Sequence, residues 1–512
     1  MASVSSDRPR RRTARRVRFR TPPLQPSSAE WRALDRRLAP EHLARVIARA
    51  LARLDLSGLW SLYAGFGSPA CPPHLLLGAV LFEIQRGHHG PAQWHRHATE
   101  CAPLRWLLRG LAPSRSCWYQ FRDRLSPALL GLAQQAVRQA RAEGWTPARR
   151  GAADGTLVAA NASRHRLLNE ATLAQRWQHL QQALAGDARG VPPAAAPRWL
   201  APTAAGRRRQ AARYGEARAA MARRQHRNRQ KRASKRTAAA RLVISPWDAE
   251  AAVGRDKEKV FRPLYNVQLL DDLDSPLILG WLVAAQPNDA GLLGPLLRQA
   301  REGLGAPVAV AVADAGYAGG ADLAAAQAQG TTVYAPWQAN DFSGPKAGKY
   351  YPKEQFTWRP QEQAYVCPQG QRLRYQGSSQ QQRSGTEKIA LQVYRGDAGT
   401  CAACPARAQC TPGKGPRSIS RSEHEELIEA LRARMQTAEA KQLYKLRKQT
   451  VELANADLKA HRGLRRLSGQ GQRRAEAQVG LTVLAHNLVA LDGLRRKRPP
   501  EVAVATPASP DP

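Results

Sequence analysis

The chain has 512 residues, more than one compact core usually accommodates, and it carries 79 lysines and arginines against 40 aspartates and glutamates, a formal net charge of +39. So large a field repels itself unless a polyanion is present, which points to nucleic acid. The longest apolar run, Pro276 to Ala285, is well short of the roughly 20 residues that span hydrocarbon, and seven cysteines, odd in number and widely spread, exclude a disulfide framework in favour of reduced thiols or a metal site.

Residues 1–27 read as a disordered basic arm: positions 1–22 hold eight arginines and one acidic residue, Asp7. The arm lacks the apolar core and cleavage region of a secretory signal, so the expected location is the cytoplasm, in association with the nucleoid. Residues 28–150 read as a helical domain, with Leu75, Leu76, Ala79, Val80 and Ile84 recurring at helix spacing and turn signals cutting the pattern into short helices. His88, His89, His95 and His97 cluster there without a tight ligand pattern and read as solvated or DNA-facing.

Near Ala152 the texture becomes α/β. Three strand-like runs, AADGTLVAAN, LYNVQLL with LILGWLVAA, and PVAVAVADAGYAG, alternate with helix-forming stretches over residues 151–336. A basic helical insertion at about 167–241 interrupts them; from Arg207 to Arg236 its only acidic residue is Glu216. A solvated helical face and a DNA-contacting insertion both account for that. Residues 337–418 form a polar, glycine-rich insertion with Cys367, Cys401, Cys404 and Cys410, whose CxxC spacing offers four thiolates to one structural zinc ion or leaves four separate reduced thiols. A helix is expected to open at Ser422, with Glu425 completing a capping box, and to run to about His461. A second apolar helix, Ala477 to Leu491, closes the 419–492 segment, and residues 493–512 form a disordered proline-rich tail.

Three carboxylates stand out. Asp154 lies in a small apolar strand, where an unpaired carboxylate is costly; a turn aspartate before Gly155 is the plainer reading. Asp314 ends a nearly continuous apolar run, at the carboxyl end of a buried strand where open α/β sheets place their sites, or else it caps the next turn. Glu452 shares a helix with Lys445, Lys448 and Lys459, as in any ion-paired surface stripe.

Taken together these segments resemble the insertion-sequence DDE transposases. Asp154 fits the first-strand pattern DGT followed by Ala160-Asn161-Ala162-Ser163, Asp314 fits an Asp-Ala-Gly-Tyr setting, and Glu452 fits through Tyr444, Arg447, Val451, Lys459, Arg462 and Gly463 with the helix LTVLAHNLVAL after it. The N-terminal segments LLLGAVLFEIQRG, PLRWLLRG and QFRDRL are also similar, so the resemblance covers about residues 50 to 490. It implies an α/β, ribonuclease-H-like catalytic core with an all-α N-terminal domain and the cysteine-containing insertion. It further implies Mg2+ or Mn2+ held by Asp154, Asp314 and Glu452, and phosphate contacts from Tyr444, Arg447, Lys459 and Arg462. The implied partners are the element ends and target DNA, with the chain acting as a homo-oligomer, a dimer, on DNA and away from membranes. The implied function is transposition of a bacterial insertion sequence by strand cleavage and transfer. A decayed relative that binds DNA without cutting, and a basic RNA-associated protein, are the competing readings.

Overall fold

The computed structural model describes residues 17–497 apart from 64, 66–67, 192, 194–195, 232, 338–348 and 383–387; the basic arm up to residue 16 and the tail from 498 lie outside the described residues. The helical first part comprises α1 (Ala29–Arg36), α2 (Leu43–Leu51), α3 (Ser57–Trp60), α4 (Pro73–Gln85), α5 (Pro91–Glu100), α6 (Ala102–Leu107) and the long α7 (Arg115–Ala142). Helix α4 buries almost every residue from Pro73 to Ile84, so it behaves as a central strut and not as an amphipathic surface helix.

After α7 the chain enters β1 (Arg150–Ala159), then β2 (Leu168–Asn169) and a helical hairpin, α8 (Glu170–Ala188) and α9 (Ala204–Arg229), followed by β3 (Val243–Ile244). The hairpin has a core of its own, built from Leu173, Leu180, Tyr214, Ala217, Met221 and neighbours. Its outer side carries Arg208, Arg209, Arg218, Arg223, Arg227 and Arg229, all exposed.

The main sheet follows: β4 (Ala252–Arg255), β5 (Phe261–Asp272), β6 (Ile278–Ala284), α10 (Leu293–Leu304), β7 (Val310–Val312), α11 (Gly320–Gln327) and β8 (Thr332–Tyr334). The strand order is β4-β5-β1-β7-β8, with β6 also on β5. Strand β1 runs antiparallel to β5 and parallel to β7, and β7 runs parallel to β8, so the sheet is mixed. The run Leu264–Asp272 of β5 is buried on both faces, as is β1 over Gly151–Ala153, as expected where helices cover both sides.

The cysteine region is more ordered than its composition suggests. It forms a second, antiparallel sheet, β9 (Thr357–Arg359), β10 (Ala364–Val366), β11 (Arg372–Gln382), β12 (Lys388–Arg395) and β13 (Ser418–Ser422), with the short α12 (Ala398–Ala402) and α13 (Arg407–Cys410) between β12 and β13. Ser422 therefore ends a strand paired with Leu391 and does not open a helix. Half of the capping motif survives, because the Ser422 N–H donates to Glu425 Oε2 at 3.3 Å. The helical stretch is split into α14 (Glu425–Met435) and α15 (Ala438–Ala456), with Thr437 capping the second.

A π-helical turn, Asp457–His461, ends α15. Then α16 (Gln472–Lys497) runs through the centre of the molecule, packed on α2, α4, α7 and β6. It is long and apolar enough to cross a membrane, but its most apolar stretch is 67% buried inside the fold. One core cluster joins α2, α4 and α7 to α16 and to the β5 and β6 side chains Tyr265, Val267, Leu269, Trp281 and Val283. The helical first part and the sheet are thus packed around a shared core.

Candidate active site

Asp154 sits at the middle of β1, only 13% exposed at its side chain. Both oxygens are held from α15: Arg447 Nη2 donates to Oδ1 at 2.8 Å, and Asn455 Nδ2 donates to Oδ2 at 2.8 Å. Residues 447, 451 and 455 recur at four-residue spacing, so Arg447, the buried Val451 and Asn455 form the stripe of α15 that meets the sheet. Arg447 also lies over the Tyr444 ring, 5.9 Å from its centroid.

Asp314 follows β7, which is parallel to β1 with Val312 opposite Ala152. Its carboxylate caps a short 3-10 turn, accepting from the Gly316 N–H at 2.7 Å. Capping and site membership are compatible here, since the turn holds the carboxylate at the end of its strand. A third carboxylate, Asp289, stands between the two and gave no signal in the sequence, where it reads as a turn residue before α10. Its Oδ1 accepts from Asn266 Nδ2 at 2.9 Å and Gln268 Nε2 at 2.7 Å, and Gln268 is in turn held by the Tyr317 hydroxyl.

The glycines of the two aspartate motifs make this convergence possible. A Cβ at Gly155 would fall 2.0 Å from Asp289 Oδ1, and one at Gly316 would fall 2.9 Å from Asp314 Oδ1 and 3.6 Å from Asp289 Oδ2. No larger residue fits at Gly155 without expelling Asp289.

The electrostatics are those of crowded carboxylates. Burial pushes Asp154 above the ordinary aspartate range; Arg447 and Lys257 pull it down, while Asp314 and Asp289 push it up. On β5, Asp271 is fully buried, and neither of its oxygens has a hydrogen-bond partner among the described residues. Burial, followed by the Asp154 charge, raises it well above the usual range. Burial also lowers Lys459, with Lys257 adding to the shift and the Asp154 charge opposing it.

The structure brings together Asp154, Asp314 and Arg447, with Lys459 within reach of the Asp154 charge. It does not pair Glu452 with the aspartates: this carboxylate is exposed on α15, three residues before Asn455. Tyr444 is half-buried beneath Arg447. Arg462 is buried, its Nε donating to Asp457 Oδ2 at 2.7 Å, so it holds the turn after α15 instead of presenting a free guanidinium. Asn161, in the alanine-asparagine-alanine-serine segment, donates from Nδ2 to the Ser468 carbonyl at 2.9 Å and ties the end of β1 to the chain beyond that turn.

Cys367, Cys401, Cys404 and Cys410 line one pocket with Arg407 and Arg417. The Gln371 N–H points at Cys367 Sγ, 3.3 Å away. Burial raises the Cys410 thiol, Arg417 opposes this, and the three other thiols add to the rise. The histidines differ from the sequence expectation of solvated rings: His89 is buried, and Glu83, His88 and His97 bring their ligand atoms within 4.8 Å of one another.

No curated protein and no solved structure matches the chain. Residues 366–491, a stretch that includes the four cysteines and Glu452 and leaves out Asp154 and Asp314, match the family model described as Transposase DDE domain.

Proposed function

We propose that the chain is a DNA transposase that binds the ends of a bacterial insertion sequence and catalyses metal-dependent strand cleavage and strand transfer. The observation that carries this reading is the convergence of Asp154 and Asp314 under α15, the helix that bears Glu452 within the matched segment. The strand order, with antiparallel β5 and β6 on one side of β1 and parallel β7 and β8 on the other, supports a ribonuclease-H-like core.

The donor chemistry suits a hard divalent cation: Asp154 is partly buried, and burial first and its acidic neighbours Asp314 and Asp289 after it raise its carboxyl. Asp154 and Asp314, with Asp289 near them, would hold Mg2+ or Mn2+, and Glu452 would complete the set by turning in from its exposed place on α15. When bound, such ions activate a water or a DNA 3′-hydroxyl and stabilise the leaving oxygen of an in-line displacement. Arg447 and Asn455 fix the rotamer of the Asp154 carboxylate, and Glu452 occupies a neighbouring position on the helix surface, one i,i+3 step from Asn455. Lys459 and Lys257 supply positive potential for the phosphate backbone, a contact that positions DNA without reading its sequence. Tyr444 and Arg447 support that surface, and Arg462 acts through the turn it pins to Asp457.

The exposed arginines of α9 extend the basic surface and would add salt-sensitive backbone contacts. Joining two element ends requires more than one active site, so the acting form is a homo-oligomer on DNA. The four cysteines lining one pocket would take a structural Zn2+.

The test is Mg2+- or Mn2+-dependent cleavage of a plasmid carrying the gene with its native flanking DNA. Wild type cuts at the flanks, while Asp154→Ala, Asp314→Ala and Glu452→Gln bind and do not cut. Wild-type binding without cleavage would instead establish a decayed DNA-binding relative.

A further inference from the structure

We propose that Glu83, His88 and His97 form a binding site for a zinc-class transition-metal ion, separate from the carboxylates around Asp154 and from the cysteine pocket. Glu83 Oε2 lies 3.0 Å from His88 Nδ1 and 2.6 Å from His97 Nδ1. The three ligand atoms all fall within 4.8 Å of one another, the only such group of histidine, cysteine or acidic residues among the described residues. The imidazole rings are 4.6 Å apart at their centroids, at 64° to each other. Two imidazole nitrogens and one carboxylate oxygen make a donor set that zinc-class ions accept, with a fourth position left for water.

The surroundings favour an ion. Glu83 is 0% exposed on a largely apolar helix, and a carboxylate in such a place needs strong compensation. Without a metal, two imidazole Nδ1 atoms crowd one oxygen, and among the described residues the guanidinium paired with Glu83, that of Arg86, is 3.5 Å from Oε1 and 45% exposed. A cation replaces both Nδ1 protons and neutralises Glu83 directly. The side chains of His88 and His97 keep 27% and 19% exposure, so an entry path exists on their side.

Elements fix the geometry before any ion arrives. Gly87 ends α4 at φ +78°, turning the chain so that His88 doubles back over Glu83, and the His88 N–H donates to the Glu83 carbonyl at 2.9 Å. Trp94 Nε1 donates to the His88 carbonyl at 2.8 Å, and α5 brings His97 to the same Glu83 oxygen.

The same loop grips the turn that follows α15. His89 contacts the Arg462 carbonyl, and Ser468 Oγ donates to the His89 carbonyl at 3.0 Å. A Cβ at Gly463 would meet Gly87 O at 2.9 Å. A metal at Glu83, His88 and His97 therefore stiffens the 87–90 loop and, through it, the 461–464 turn beside Lys459. The site stands whether or not Asp154, Asp314 and Glu452 cut DNA.

Cobalt(II) titration of the full-length, chelator-treated protein tests it. The expected result is an equivalent with visible d–d absorption and no thiolate charge-transfer band, additional to any thiolate-banded cobalt taken by the cysteine pocket, lost in His97→Ala and in His88→Ala but retained in Cys401→Ser. Hydrogen exchange at residues 87–90 and 461–464 is expected to slow when Zn2+ is added to wild type and not when it is added to His97→Ala. Because His97 is partly exposed, its alanine variant is expected to keep the wild-type circular dichroism spectrum. Cobalt signals that carry only thiolate bands, or thiolate-free absorption that persists in both histidine variants, would overturn the proposal.

Discussion

Helices α15 and α16 lie in the same matched segment, yet the fold treats them oppositely. Helix α16 buries fourteen of its residues, from Ala475 to Leu491, and touches the helical first part on one side and β6 on the other. Gly480 shows how tight that packing is, since a Cβ there would lie 2.8 Å from Trp281 Cζ2 and 3.1 Å from Leu129 Cβ. Helix α15 buries only Ala440, Leu443 and Val451, and its exposed side carries Lys445, Lys448 and Glu452. The difference teaches that one helix is a structural axle and the other an exposed, largely basic surface laid on the sheet.

The largest effect that would sharpen this contrast is on stability. Leu484→Ala in α16, at a fully buried site, is expected to destabilise the protein by about 2–5 kcal/mol, while the folded fraction keeps its DNA cleavage rate; chemical denaturation alongside cleavage assays checks both. If Leu484→Ala changed cleavage per folded molecule more than stability, the axle description would fail.

Next, Asn455→Ala on α15 frees one oxygen of Asp154. Cleavage is expected to fall about 10–100-fold, the usual cost of removing a partner that orients a metal-binding group, with a melting temperature close to wild type. Equal losses in stability and activity would break the comparison.

A smaller effect is expected from Lys445→Gln with Lys448→Gln. Each phosphate contact removed lowers the slope of log affinity against log salt by about 0.9, measurable by fluorescence anisotropy with duplex DNA. An unchanged slope would show that DNA does not lie along the exposed side of α15.

The smallest concerns the tie between the two helices. Asp457, in the π turn after α15, accepts from Arg462 and sits 3.0 Å from His486 of α16. Burial alone would raise it, but the His486 and Arg462 contacts hold it at about 2, below the ordinary 3.8. A carboxylate lowered on folding gives stability that is complete above its unfolded value and is lost as pH falls, here between about 4 and about 2. Asp457→Asn is expected to flatten acid-induced melting over that window; an unaltered profile would show that the tie contributes nothing.

Much of the sheet could be read in advance. The apolar runs around Asp154 and Asp314 became β1 and β7 because buried strands need continuous apolar residues, and the basic interruption became the α8–α9 hairpin. The second sheet was hidden because β11, with RLRYQGSSQQQ, has no apolar alternation to betray it; its order comes from pairing with β12. Ser422 was misplaced at a helix start for the same reason, since pairing with Leu391 in β12 outweighed a local capping preference. Asp289 was invisible because its role depends on the space left by Gly155, a contact between residues far apart in the chain.

By itself, the sequence determined the polyanion-seeking charge, the α/β alternation, the three motif carboxylates and the four cysteines, because composition, periodicity and local motifs are properties of neighbouring residues. Only the tertiary structure decided that Arg447 and Asn455 hold Asp154, that Arg462 is sequestered by Asp457, that Glu452 stays exposed, and that Glu83 meets two histidines across a glycine turn. Those are encounters between side chains on separate elements, and packing of the shared core sets their distances.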